Sequence, residues 1–171
     1  MQLNFIANTA LASTSGRTLA VIDPSDGQPF DTLQRSNAQD IDHAVHAARQ
    51  CLDAVWHKLA AAERGRLLMR LSATVLQHAD ELAALEQRDC GKPTRQARAD
   101  VQALARYFEF YAGACDKLHG ETIPYQDGYS VFTWREPHGV TGHIVPWNYP
   151  MQIFGRSVGG ALAAGNVCVV K

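Results

Sequence analysis

The run Pro146-Trp147-Asn148-Tyr149-Pro150 is where residue types and spacing could do chemistry. A buried-looking strand ends at Val145, and a helix begins near Pro150, since proline suits the first helical turn. In open α/β sheets ligands bind outside the carboxyl ends of the strands, so Asn148 stands where a ligand would lie. Its carboxamide can donate to an oxyanion or a carbonyl without changing charge. It can equally cap the helix that follows, and Trp147 can equally be a packing residue; spacing leaves both readings open. No G-x-G-x-x-G accompanies the turn, so a nucleotide here would not be held by the usual pyrophosphate fingerprint. Gly159 and Gly160 fall inside the helix and read as points of close helix–sheet packing.

The elements that must position this turn are a strand over Gly139–Val145, a helix over Pro150–Ala164 and a β-rich run over Asn166–Lys171. Strand, helix and strand in about thirty residues make one βαβ unit, with parallel strands and a right-handed crossover. Lys171 ends the second strand, at the carboxyl edge where a nucleotide would lie. A parallel pair is normally part of a larger covered sheet, so the unit reads as incomplete. Upstream, residues 1–36 read as short strands at Leu3–Ala7, Leu19–Ile22 and Pro29–Gln34, separated by turn signals at Ser13–Gly16 and Asp23–Gly27. Residues 37–118 read as four helices, each with one apolar face. Asn37 caps the first of them, with Asp40 in its first turn, and the third stops at Gly91-Lys92-Pro93. Residues 119–137 read as a hairpin region, with Tyr129–Arg135 alternating as a strand, and residues 138–171 hold the βαβ unit.

Composition narrows the function classes. The chain has 171 residues, 46% hydrophobic and 19% charged, with a net charge of -1. That suits a folded domain and offers no basic field for nucleic acid or an anionic membrane surface. The longest weakly polar run, Val158–Val170, is too short to cross a bilayer, which takes about 20 residues. Cys51, Cys90, Cys115 and Cys168 show no C-x-x-C spacing and read as free, buried thiols of a reducing, cytoplasmic compartment. His43 and His46 lie three apart on a helix with no third ligand nearby, which reads as a solvated face rather than a metal site.

From Glu136 to Lys171 the pattern E-P-x-G-V, I-x-P-W-N-Y-P, A-L-A-A-G-N and V-V-K resembles the aldehyde dehydrogenase superfamily. Ile22-Asp23-Pro24-Ser25-Asp26-Gly27 resembles the family's early N-P-A-T-G turn, and Asp89-Cys90-Gly91-Lys92-Pro93 its D-x-G-K-P helix end. The resemblance covers the chain from Phe5 onward. It implies an α/β fold of aldehyde dehydrogenase type, present in part: N-terminal strands, a helical segment and the first βαβ unit of a cofactor-binding domain. It implies an oxidoreductase that converts an aldehyde to a carboxylic acid with NAD or NADP. Asn148 matches the catalytic oxyanion-hole asparagine. Ile144, Val145, Pro146 and Trp147 match the turn that lines the cofactor, and Lys171 the lysine that bonds the adenosine ribose. Ile22 and Asp89 match positions that bind a monovalent cation in some members. Ser157, beside Arg156, stands where some members carry a lysine linked to a proposed charge relay.

The family chain runs to nearly three times this length, and its nucleophilic cysteine and general-base glutamate follow the lysine matched by Lys171. The chain is therefore expected to be the amino-terminal third of such an enzyme, inactive alone, taking an aldehyde and assembling as a homo-oligomer when complete. Two alternatives stand beside it. One is a non-catalytic helical interaction protein that binds a partner through exposed helix faces; the other is a standalone nucleotide binder.

Overall fold

The computed structural model describes residues 1–171. Strands β1 (Asn4–Ile6) and β2 (Thr9–Leu11) form one hairpin, and β3 (Thr18–Ile22) and β4 (Pro29–Gln34) a second, both antiparallel. Four helices follow: α1 (Ala38–Ala54), α2 (Ala61–Gln77), α3 (Ala79–Cys90) and α4 (Thr94–Ala114). Then come a two-residue pair, β5 (Thr122–Ile123) with β6 (Val131–Phe132), and the unit β7 (Val140–His143), α5 (Pro150–Ala163), β8 (Val167–Val170). β7 and β8 are parallel, in register from Val140 opposite Val167 to His143 opposite Val170.

The core lies among the helices, not on a sheet. α4 is its axis: Ala97, Val101, Leu104, Ala105 and Phe108 recur every three or four residues and are buried against α2, α3 and α5. Buried Ser72 of α2 donates to the Ala105 carbonyl at 2.7 Å, so its hydroxyl is satisfied inside the core. Gly155 and Gly159 let α5 approach α4. A Cβ at Gly155 would come within 2.9 Å of Leu104 Cδ1, and one at Gly159 within 2.8 Å of Tyr111 Cδ2. Gly160 faces the same Tyr111 ring. The packing expected of Gly159 and Gly160 against a sheet is thus packing against a helix. The side of α5 that carries them is the one α4 occupies.

Asn37 caps α1 through a reciprocal box: Asp40 N–H donates to Asn37 Oδ1 at 3.2 Å, and Asn37 N–H to Asp40 Oδ2 at 2.9 Å. Asp40 does more than sit near the dipole. Its carboxylate also accepts from Ser13 Oγ at 2.6 Å and Thr14 N–H at 2.9 Å, tying the loop after β2 to α1. These donors favour the ionised form and hold its pKa down at about 2. Asn166 has a similar office at the other end: it accepts from Gly139 N–H at 3.0 Å and donates to Ala161 O at 3.1 Å, joining the start of β7 to the end of α5.

The strand expected over Tyr129–Arg135 is shorter than its alternation suggests. Only Val131 and Phe132 pair, because β5 is two residues long; beyond it Thr133 N–H reaches the Glu121 carbonyl at 2.8 Å. Trp134, Tyr129, Tyr125 and Phe132 stay exposed. β8 is less open than an unpaired edge would be: Val167 is buried, and α1 and α5 both contact the parallel pair.

Candidate functional site

The turn from Ile144 to Tyr149 rises from the carboxyl end of β7. Lys171 N–H donates to the His143 carbonyl at 2.8 Å, and Val145 N–H to the Lys171 carbonyl at 2.7 Å. These two bonds extend the ladder one step past β7 and β8, so Lys171 and the turn share one edge of the parallel pair. Ile144 and Trp147 are each 81% exposed there, Pro146 is exposed, and Val145 is half-buried. A parallel pair presenting an apolar turn and an ammonium at its carboxyl edge fits the place and chemistry of a nucleotide cofactor.

Asn148 is exposed, and its carboxamide makes no hydrogen bond within the chain. The residue at the N-cap position of α5 is Tyr149, whose carbonyl accepts from Ile153 N–H at 3.0 Å, and no side chain caps this end. The cap left open by the sequence is therefore not made, and the amide is available to something outside the chain.

The turn rests on a buried polar cluster. Lys92, in the loop between α3 and α4, bonds Asp100 Oδ2 at 2.5 Å and also Glu86 Oε1. Asp100 is 0% and Glu86 4% exposed. Asp100 Oδ1 accepts from Gln96 Nε2 at 2.8 Å and Gln152 Nε2 at 2.7 Å, the latter on α5. Lys92 Nζ also lies 4.2 Å from the centre of the Tyr149 ring. Cys90 donates its thiol proton to the Trp147 carbonyl at 3.1 Å. Trp147 and Tyr149 are thus gripped on either side of Asn148.

Two carboxylates share one ammonium, and their acidities separate. Burial raises the Glu86 pKa above the ordinary value despite Lys92. Burial acts on Asp100 too, but Lys92, Gln152 and Gln96 outweigh it and hold its pKa below the ordinary value. Burial also raises the thiol pKa of Cys90, Cys115 and Cys168, with Asp89 and Glu86 adding to the effect at Cys90. Cys90 and Cys168 are half-buried, Cys115 is buried and Cys51 is exposed; all four are free thiols.

Ile22 closes β3, and Asp89 lies exposed in the last turn of α3. The two segments meet: Arg88 Nε is 3.4 Å from Asp23 Oδ2, and a Cβ on Gly91 would come within 2.9 Å of Pro24 Cγ. Gly91 has φ of 68°, the left-handed conformation that ends α3. No three His, Cys, Asp or Glu side chains cluster to hold a metal ion. Ser157 bonds His143 Nδ1 at 2.5 Å, linking α5 to β7.

The sequence reading missed Glu86, Lys92, Asp100 and Gln152 as supports of the turn. The available signal was a lysine between Gly91 and Pro93 with an acid on each flanking helix.

The model of the aldehyde dehydrogenase family matches residues 11–171. Aldehyde dehydrogenase family 2 member B4, mitochondrial, of Arabidopsis thaliana is 45% identical over 161 residues, which are 93% of this chain and 30% of that protein. Benzaldehyde dehydrogenase, mitochondrial, of Antirrhinum majus is 44% identical over the same shares. A crystal structure of a Burkholderia cenocepacia protein assigned to the aldehyde dehydrogenases superposes with a TM-score of 0.97 at 67% identity, over 98% of this chain and 35% of that one. PnpE in complex with nicotinamide adenine dinucleotide superposes at 0.95 with 38% identity, over 99% and 35%. The chain spans about a third of the length of the curated relatives it matches.

Proposed function

This chain belongs to the aldehyde dehydrogenase family, and from that premise we propose that it supplies the amino-terminal third of an enzyme oxidising an aldehyde to a carboxylic acid with NAD or NADP. The observation that carries the reading is the free Asn148 carboxamide at the carboxyl end of β7, held on both sides by the Lys92–Cys90 supports. On this reading residues 138–171 open the cofactor-binding domain, residues 37–118 are its helical part, and residues 1–36 and 119–137 contribute strands. Residues 119–137 belong to an oligomerisation extension.

Asn148 donates to the aldehyde oxygen as negative charge develops on it, an effect worth about 2.7–4 kcal/mol for one such donor. Its support matters because the gain depends on a donor already aimed where charge will appear. Ile144, Val145, Pro146 and Trp147 give the cofactor an apolar face, and Lys171 gives its ribose a charged donor. When bound, the nicotinamide supplies the hydride acceptor. On the family pattern the nucleophilic cysteine follows the lysine matched by Lys171; burial raises the thiol pKa of Cys90, Cys115 and Cys168, which disfavours the reactive thiolate at those three positions. Ile22, through its backbone carbonyl, and Asp89, through its carboxylate, are the positions that would hold a monovalent cation; the adjacency of their two segments is compatible with that role. Four free thiols suit a reducing compartment.

The test is NAD(P)-dependent aldehyde oxidation by the full-length protein beside the 171-residue chain alone. Turnover by the former and none by the latter is expected. Steady cofactor reduction by the short chain, or none by the long one, contradicts the reading.

A further inference from the structure

Helix α5 carries a single charged residue, Arg156, and Arg156 is also its single exposed residue. Burying the rest of α5 explains its apolar composition but gives no reason for a guanidinium. The side chain makes no ion pair and no hydrogen bond within the chain. It lines a groove of about 380 Å³ with Pro146, Asn148, Tyr149, Gln152 and Ile153 from the turn and α5, and Gln96 from α4. No carboxylate lines that groove. Asp100, the acid bonded to the lining residues Gln96 and Gln152, is wholly buried and already committed to them and to Lys92.

Taken in order along the turn and α5, the groove lining runs from the Asn148 amide past Tyr149 and Ile153 to Arg156, which has no acid partner within these residues. We infer that the substrate of this site is an aldehyde that also bears a carboxylate, its carbonyl at Asn148 and its carboxylate at Arg156. The inference rests on the reading of Asn148 as the carbonyl-side donor. From Pro150 to Arg156 the helix rises about 9 Å, and the roughly 6 Å arginine side chain shortens the gap to the length of a short carbon chain or one aromatic ring. Guanidinium matches a planar carboxylate with two parallel hydrogen bonds, which an ammonium cannot reproduce. Tyr149 and Ile153 suit a hydrocarbon or aromatic spacer.

The experiment uses the full-length enzyme with NAD or NADP in excess and two matched pairs, 4-carboxybenzaldehyde against benzaldehyde and 4-oxobutanoate against butanal. The readout is the ratio of kcat/KM for the carboxylated over the neutral member. The expected ratio exceeds one clearly in at least one pair and falls with added salt. Arg156→Met lowers it about 10- to 100-fold, as loss of a charged hydrogen-bond donor does, mainly through KM. Arg156→Lys retains part of the preference. Ratios at or below one in both pairs, or a ratio unmoved by Arg156→Met, overturn the subsite while aldehyde oxidation itself stands. Oxidation of none of the four aldehydes overturns the proposed function and the subsite with it.

Discussion

Replacing Lys92 by Met tests how the turn is held. The substitution keeps most of the side-chain volume and removes the only cation bonded to two acids, Asp100 at 0% and Glu86 at 4% exposure. Removing one partner of a buried pair costs about 3–5 kcal/mol, because the charge left behind is neither solvated nor paired. Asp100 keeps its two glutamine donors, whereas Glu86 keeps no donor, its Oε2 being without one already and the Asp100 carboxylate lying beside it. The charge on Glu86 should therefore dominate the cost. Adding Glu86→Gln to Lys92→Met should recover part of the loss, a coupling that a double-mutant cycle reads directly. The pH dependence has a definite sign. Burial raises the Glu86 pKa, so the native state binds this proton more tightly than the unfolded state. Its contribution favours folding below the ordinary carboxylate range and is lost as pH rises through the raised value. Losing the Lys92 ammonium raises that pKa further, so the thermal midpoint of Lys92→Met should approach wild type as pH falls through the raised value. Asp100, whose pKa is lowered, acts oppositely and only at more acid pH. Scanning fluorimetry on the full-length enzyme, with turnover measured in parallel, gives both readouts. A midpoint within about a degree of wild type at neutral pH, or a double variant less stable than Lys92→Met, would refute the reasoning.

Three further outcomes are expected. Lys171→Ala in the full-length enzyme should raise the KM for the cofactor about 10- to 100-fold, the worth of one charged donor, while largely sparing kcat; an unchanged cofactor KM with both NAD and NADP removes Lys171 from the site. Asp40→Ala should free the loop after β2 from α1 and lower the thermal midpoint. The Asp40 contribution is full above the ordinary carboxylate range and is lost as pH falls toward about 2; an unchanged midpoint at pH 7 contradicts it. The 171-residue chain should self-associate through its exposed aromatics at Tyr125, Phe132 and Trp134, and a monodisperse monomer in analytical ultracentrifugation would count against this.

Local signals carried far into this fold, and non-local ones did not. Pro29–Gln34 pairs over the length its pattern suggests, Asn37 caps α1, and Pro150 opens α5, because caps and prolines act within one turn of the residue that bears them. Apolar spacing in residues 94–114 identified the face of α4 that is buried, since that face repeats every 3.6 residues. Thr9–Leu11 was not expected as a strand: three residues are too few for alternation to speak, and only its pairing with Asn4–Ile6 defines it. Tyr129–Arg135 failed the other way, alternating like a strand over a stretch where only two residues find a partner. At the site, Asn148, Lys171 and the turn were legible as a motif at a strand end. Their supports were not. Glu86, Lys92, Asp100 and Gln152 lie far apart in the chain, each reads singly as a surface residue, and only tertiary packing makes them one cluster.

The measurement that bears most directly on the central claim is steady-state kinetics of Asn148→Ala in the full-length enzyme, with aldehyde and cofactor varied separately. If the Asn148 carboxamide stabilises developing charge on the aldehyde oxygen, turnover falls about 10²–10³-fold, while the cofactor KM and the thermal midpoint stay nearly unchanged. Retained turnover, with weakened cofactor binding or a lowered midpoint, would make Asn148 a structural residue of the turn and contradict the account.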